Sequence, residues 1–227
     1  MRQIDSRSFA FIRGQFRRSS CRLFAGLLVC LTLPAAEVPR IVYSKSFPGS
    51  SPAFVEIRID KAGECEYREA PGEEPPLKFR LNPNQTGEIF ALADKLDRFK
   101  RPLEANLKVA MMGIKTFRFE EGATHSEVKF NFSLDADART LADWFERMVE
   151  SEQHFISLER TARFDKLGVY RVILNLETSW DRKRLVGPEQ FLPLLDRVAK
   201  NESYVHMARE RAAALADAFR GLKADPE

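Results

Sequence analysis

The spacing of apolar residues predicts an α+β protein, with N-terminal antiparallel hairpins and covering helices followed by a helical C-terminal part. Three observations lead there. Over residues 40–81 apolar side chains recur at every second position, the period of a half-buried strand. Over residues 82–150 helical and alternating stretches take turns, so helices are available to cover a sheet. From about Ser151 onward the period stays helical.

The elements follow in order. Ile41 and Tyr43 open the first strand; Val55, Ile57 and Ile59 form the second; Cys65 and Tyr67 mark the third; Phe79 and Leu81 close the set. Asp60-Lys61-Ala62-Gly63 is a hairpin turn, because Gly supplies positive φ and Asp bonds the local backbone. Two proline-rich stretches, 48–52 and 70–76, read as loops. Asn82-Pro83-Asn84-Gln85 is a helix start, with Asn as N-cap, Pro at the first helical position and Gln closing a capping box. Ile89, Leu92, Leu96 and Phe99 continue it, and Pro102 should end it. A second hairpin is expected from Phe117 and Phe119 against Val128, Phe130 and Phe132, turning at Glu121-Gly122-Ala123-Thr124. Leu141, Phe145 and Met148 then share a helical face, capped by Ser133 or Asp135.

Phe155, Leu158, Ala162, Val169, Ile173, Leu176 and Trp180 form one helical stripe, with Gly168 weakening its middle. Residues 169–176 also alternate, so the period admits a strand there, although helix fits better. Gly187-Pro188-Glu189 begins another helix that buries Phe191, Leu194, Leu195 and Val198, and Asn201 is expected to cap a last one through Phe219. The chain therefore divides into a signal peptide at 1–36, an α+β unit at 37–150 and a helical C-terminal part at 151–227. Phe155, Val169, Ile173, Phe191 and Leu195 should pack on one another and on the sheet or its covering helix, giving one cooperative unit.

The signal peptide is read from order. Six arginines up to Arg22 precede an apolar run at 23–33, which ends in Pro34-Ala35-Ala36. That run is about half of the roughly 20 residues a membrane span needs. Export by general secretion, to the periplasm or the medium, is the expectation, with the membrane a partner only if the apolar segment is retained. Charge follows the same division. The chain has 36 Lys and Arg against 33 Asp and Glu, and the first 36 residues take six Arg and one Asp, leaving 30 against 32. A mature chain so balanced has no electrostatic footprint for nucleic acid. The run Arg182-Lys183-Arg184 reads as a solvated helix end. Cys21 and Cys30 leave with the signal peptide, so Cys65 stands alone as a core residue beside Tyr67.

The stretch holding Ser51-Pro52, Ile57-Arg58-Ile59-Asp60, Gly63 and Tyr67 resembles exported bacterial domains of unknown function, in which a strand, an Asp-to-Gly turn and a Tyr strand follow a short Pro-containing loop. The resemblance implies a compartment and a strand order; it brings no site.

Motifs for chemistry are sparse. His125, His154 and His206 fall in three elements and at no zinc spacing, with His154 and His206 placed near helix starts. No Gly-x-Ser-x-Gly elbow occurs, and Asp135-Ala136-Asp137 suits helix capping better than calcium. Glu73-Glu74, Glu120-Glu121 and Glu150 with Glu152 read as solvated carboxylates in turns or on polar faces. No catalytic, cofactor or metal residues are assigned, and an enzyme is the weaker expectation. Tyr43, Phe47 and Phe54, with Phe79, form the candidate binding surface near the 48–52 loop, since binding residues concentrate on loops held by a scaffold. The expected function is an exported soluble binding or interaction module for an envelope or extracellular protein or a small ligand. A hydrolase built from dispersed Ser, His and carboxylate groups and a membrane-anchored envelope protein are the alternatives.

Overall fold

The computed structural model describes residues 38–224, so the expected signal peptide lies outside the described residues. The fold is α+β. Six antiparallel strands, β1 (Arg40–Ser46), β2 (Phe54–Asp60), β3 (Glu64–Arg68), β4 (Leu77–Arg80), β5 (Ile114–Glu121) and β6 (Thr124–Phe130), form one sheet in the order β4-β3-β2-β1-β5-β6. β1 lies at its centre because α1 (Pro83–Lys95) carries the chain from the β4 edge back to pair β5 with β1.

Register places every alternate apolar residue on one face. Tyr43 sits opposite Ile57 and Phe117, Ile59 opposite Cys65, and Cys65 opposite Phe79. The other face carries cross-strand charges, Glu56 against Arg68 and Arg58 against Glu66 among them. In the β2–β3 turn Asp60 Oδ1 accepts from the amides of Ala62 and Glu64. Gly63 has φ +81°, and a Cβ there would stand 2.7 Å from the Leu81 carbonyl oxygen, so this turn requires glycine.

Helix α1 starts as its sequence directs: the Asn82 side chain accepts from the Gln85 amide, and the Gln85 side chain closes the capping box. Its end is not set by Pro102. The helix stops at Lys95 and passes into a left-handed turn, with φ of 53°, 49° and 64° at Asp97, Arg98 and Phe99. Three such non-glycine residues cost about 1 to 2 kcal/mol each. Burial of Phe99 against Phe117, with ring centroids 5.1 Å apart, offsets that cost.

Asp135 caps α2 (Ala136–Phe164), which runs for 29 residues straight through Ser151. The sequence division at 150/151 thus falls inside one helix. Phe145 and Met148 in its first half join α1 and the sheet in one apolar core, whereas Leu158 and Ala162 in its second half join a separate core with the C-terminal helices. Those are α3 (Val169–Asp181), α4 (Leu192–Lys200, entered through a 3-10 turn at Pro188–Phe191) and α5 (His206–Ala224). Residues 169–176 are helical, and Gly168 precedes α3 where a mid-helix position was expected. Asn201 does not cap α5, which begins at His206; its side chain accepts from the Ser203 amide. Val169, Ile173, Phe191 and Leu195 pack together on Phe155, Leu158 and Ala162 of the second half of α2, in a core separate from that of the sheet.

Cys65 is buried, and its thiol donates to the Gly63 carbonyl at 3.5 Å. Burial, first, and the nearby Glu152, Asp60 and Glu64 push its pKa up. Cys65→Ser should destabilise the fold by about 1 kcal/mol or more through lost packing and a poorly paired hydroxyl. Urea denaturation measures this, and the native thiol should resist bulky labelling reagents until the chain unfolds.

Candidate functional site

Where β1 leaves the sheet, the 47–53 loop folds back on itself. The Phe47 amide donates to the Ala53 carbonyl at 2.9 Å, and the Ser50 amide donates to the Phe47 carbonyl at 3.1 Å. Ser50 Oγ lies 2.7 Å from the carbonyl oxygens of both Phe47 and Pro52. The segment before β5 passes behind Phe47 at Gly113, where φ is +95° and a Cβ would meet Phe47 Cβ at 2.9 Å. Opposite the loop runs the face of α2 that carries Glu146, Val149, Glu150 and Gln153. Between loop and helix lies a pocket of about 340 Å³, with Tyr43, Lys45, Phe47, Pro52 and Val55 on its sheet side. That volume is at the lower end of small-ligand sites, which run from about 300 to 1,000 Å³.

The pocket's lining carries Lys45 from the sheet's inner face and Glu146 and Glu150 from α2, while Lys115 lies just outside it. Lys45 continues the alternation of Ile41 and Tyr43, and Lys115 precedes Phe117 by two, so both lysines face α2 as direct cross-strand neighbours. Like charges in that position repel. One carboxylate serves both: Glu146 Oε1 lies 3.2 Å from Lys45 Nζ and 3.9 Å from Lys115 Nζ. Lys115 also donates to the Asn131 carbonyl, and burial lowers its pKa. Beside this cluster the Tyr43 ring is fully buried and stacked on Phe145 at 4.8 Å. Its hydroxyl has no hydrogen-bond partner among the described residues. Burial and the Glu146 charge hold that hydroxyl's pKa well above the usual tyrosine value, so it stays protonated.

A polar seam adjoins the pocket where α2 passes from one core to the other. Arg184 donates to Glu150 Oε2 at 3.0 Å and to Asp143 Oδ1 at 2.7 Å, so it is not the solvated end its basic run suggested. Ser179 Oγ donates to Glu150 Oε1 at 2.9 Å and stands 2.9 Å from His154 Nε2. His154 lies within α2, not near a helix start. These are the groups a hydrolase would use, but in another order: serine stands between carboxylate and imidazole and gives its proton to the carboxylate. A nucleophilic relay needs the imidazole in the middle. Ser179 and His154 also stand outside the pocket lining.

Glu152 lies in the same seam and is fully buried, contrary to the solvated reading of its pairing with Glu150. Gln190 Nε2 donates to its Oε1 at 2.8 Å, while Oε2 has no hydrogen-bond partner among the described residues. Desolvation pushes its pKa up to about 7, against a smaller lowering by Gln190.

Of the residues singled out in the sequence, the structure brings Tyr43 and Phe47 to the pocket. Phe54 is not in its lining, because Val55 takes the inward position and the alternation turns Phe54 to the opposite face. Phe79 packs in the core near the β4 edge. His125 and His206 are exposed. Sequence reasoning missed Lys45, Lys115, Glu146 and Glu152. For Lys45, Lys115 and Glu152 the signal was present, a charge at a position where the strand or helix period calls for an apolar residue; Glu146 lies on the flank of the α2 apolar face and gave no such signal.

The chain matches no protein-family model and no curated protein. Among the described residues no group of His, Cys, Asp and Glu could hold a metal ion, and no helix is long and apolar enough to cross a membrane.

Glu152 gives the site a pH signature. Its folded pKa exceeds the ordinary carboxylate value, so its stabilisation is full at acid pH and is lost as pH rises through about 7. A folded pKa of about 7 against the ordinary 4.5 corresponds to roughly 3 kcal/mol. Glu152→Gln should therefore be more stable than the parent by up to that amount at about pH 8, with the gap closing by about pH 5. Urea denaturation across that range reads the difference. His154, whose pKa is lowered by burial, titrates in the opposite sense in both proteins and cancels.

Proposed function

We propose that this chain is an exported binding module whose pocket between the 47–53 loop and α2 takes a small organic molecule. The observation that carries the reading is a cavity of about 340 Å³ in which apolar walls meet the Lys45–Glu146 ion pair. The apolar walls at Phe47, Pro52 and Val149 and the few convergent polar groups have the composition of a recognition site. A binding role is favoured over hydrolysis by the direction of the Ser179 hydrogen bond.

Export is supported by the arginine-rich start and the short apolar run, and by the resemblance of the 51–67 stretch to exported bacterial domains. The near balance of charge after residue 36 favours a small ligand or an envelope partner over nucleic acid.

Fragment screening by NMR on the full chain tests the pocket. Hits should shift the resonances of Phe47, Val149 and Gln153, and Val149→Trp, which fills the cavity, should abolish those shifts while the protein melts as before. Unchanged binding in Val149→Trp would place the site elsewhere. For export, intact-mass analysis of envelope fractions should find a protein beginning at Ala36 or Glu37, and Met1 on the folded protein would refute cleavage.

A further inference from the structure

We infer that residues 105–112 form a lipid-docking loop, which seats this protein on an anionic bilayer by inserting Leu107, Val109, Met111 and Met112 at the headgroup boundary. Single exposed apolar residues are ordinary on protein surfaces, whereas a contiguous run marks a contact with something else. These four side chains are 43 to 59% exposed, and Ile114 continues the run into β5. None of them lines the pocket beside the 47–53 loop.

The loop is held away from the body of the protein by bonds at its base. The Ala105 amide donates to the Phe132 carbonyl at 2.9 Å. Asn131 fixes the returning arm: its side chain accepts from the Met112 amide at 2.9 Å and donates to the Ala110 carbonyl at 3.1 Å. Between these ties the Val109 amide donates to the Leu107 carbonyl at 2.9 Å, a tight turn with Lys108 at its apex. Every residue from Asn106 to Met112 is exposed, so bare apolar surface lies on both sides of the chain. A protein groove covers one face of such a segment; a lipid interface covers both.

Charge selects the kind of surface. No Asp or Glu occurs from Ala105 to Phe119, and Lys108 is the charge at the tip. The acids at the base are engaged: Glu104 accepts from the Asn131 amide at 2.6 Å, and Asp135 pairs with Arg101 at 2.6 Å. More distant acids are screened, since at cellular salt the Debye length is about 8 Å. Apolar side chains with a cation and no competing anion are what an anionic lipid surface attracts. Lys108 can lay its methylenes along the apolar residues while its ammonium stays among the phosphates.

Vesicle co-sedimentation tests this with residues 37–227, which contain both apolar cores and lack the apolar run at 23–33. The protein should sediment with vesicles of phosphatidylcholine and phosphatidylglycerol. Met111→Ser with Met112→Ser should weaken that binding about tenfold with an unchanged melting temperature, because both side chains are exposed. Lys108→Gln should weaken it about fivefold, the effect of one lysine near an anionic surface, and leave binding to pure phosphatidylcholine unaltered. Phe164→Ser with Leu167→Ser, an exposed apolar pair at the far end of α2, should change nothing. No binding to the mixed vesicles, full binding by the double Ser variant of the loop, or loss with the Phe164 and Leu167 changes would overturn the inference. A dimer that dissociates on the Met111 and Met112 changes, with no vesicle binding, would give the loop to a second copy of the chain instead.

Discussion

A helix that serves two apolar cores has to change partners along its length, and at the change its inward side chains belong fully to neither. That constraint on α2 organises the molecule. Phe145 and Met148 press on the sheet, Leu158 and Ala162 on α3 to α5, and the two turns between them carry Ser151 and Glu152 inward. Ser151 resolves its position locally: its hydroxyl donates to the Arg147 carbonyl and accepts from the Val186 amide, tying the strap before α4 to the helix. Among the described residues Glu152 has only Gln190, on one of its oxygens. The seam is where packing gives way to hydrogen bonding, and its outer side is the helix wall of the pocket.

The sheet side of the pocket has a related origin. The inner face is covered by α1 and α2 over most of its area, and Ile41, Tyr43, Ile57 and Phe117 are fully buried there. Towards the ends of β1 and β5 the same inward register continues to Lys45 and Lys115, which remain partly solvated. Charge there is tolerated because the 47–53 loop stands away from the helix and leaves a cavity. The site is thus a place where an apolar face ends and the register does not.

Much of this was legible in the sequence. The strand alternation, the Asp60 to Gly63 turn, the Asn82 capping box and the Asp135 cap are all local signals, and each element formed where its signal stood. What escaped was tertiary. That α2 continues through Ser151 was legible only as an absence, since no Gly or Pro interrupts 136–164. The left-handed turn at Asp97 to Phe99 is imposed by the burial of Phe99, against intrinsic preference. Tyr43 and Phe47 were visible as aromatic residues near a loop, but Phe54 was placed with them although it stands one position out of phase with Val55. Lys45, Lys115 and Glu152 were readable as charges in apolar positions, and such violations of pattern are where function is expected to show.

The outer face of the sheet completes the specification of the strands. A slip of one residue between neighbours would turn an entire apolar row to solvent, so the inner face forbids odd shifts. A slip of two would keep the apolar rows inside, and hydrophobicity alone would not reject it. The charges do. Glu56 faces Arg68 and Arg58 faces Glu66 in the native pairing of β2 with β3, and Arg40 faces Glu120 across β1 and β5. Shifted by two, Glu56 meets Glu66 and Arg40 meets Arg118, each a like-charge pair in direct opposition. Between β2 and β3, where a slip of two the other way sets Arg58 against Arg68, parity is thus read from the buried side and phase from the wet side.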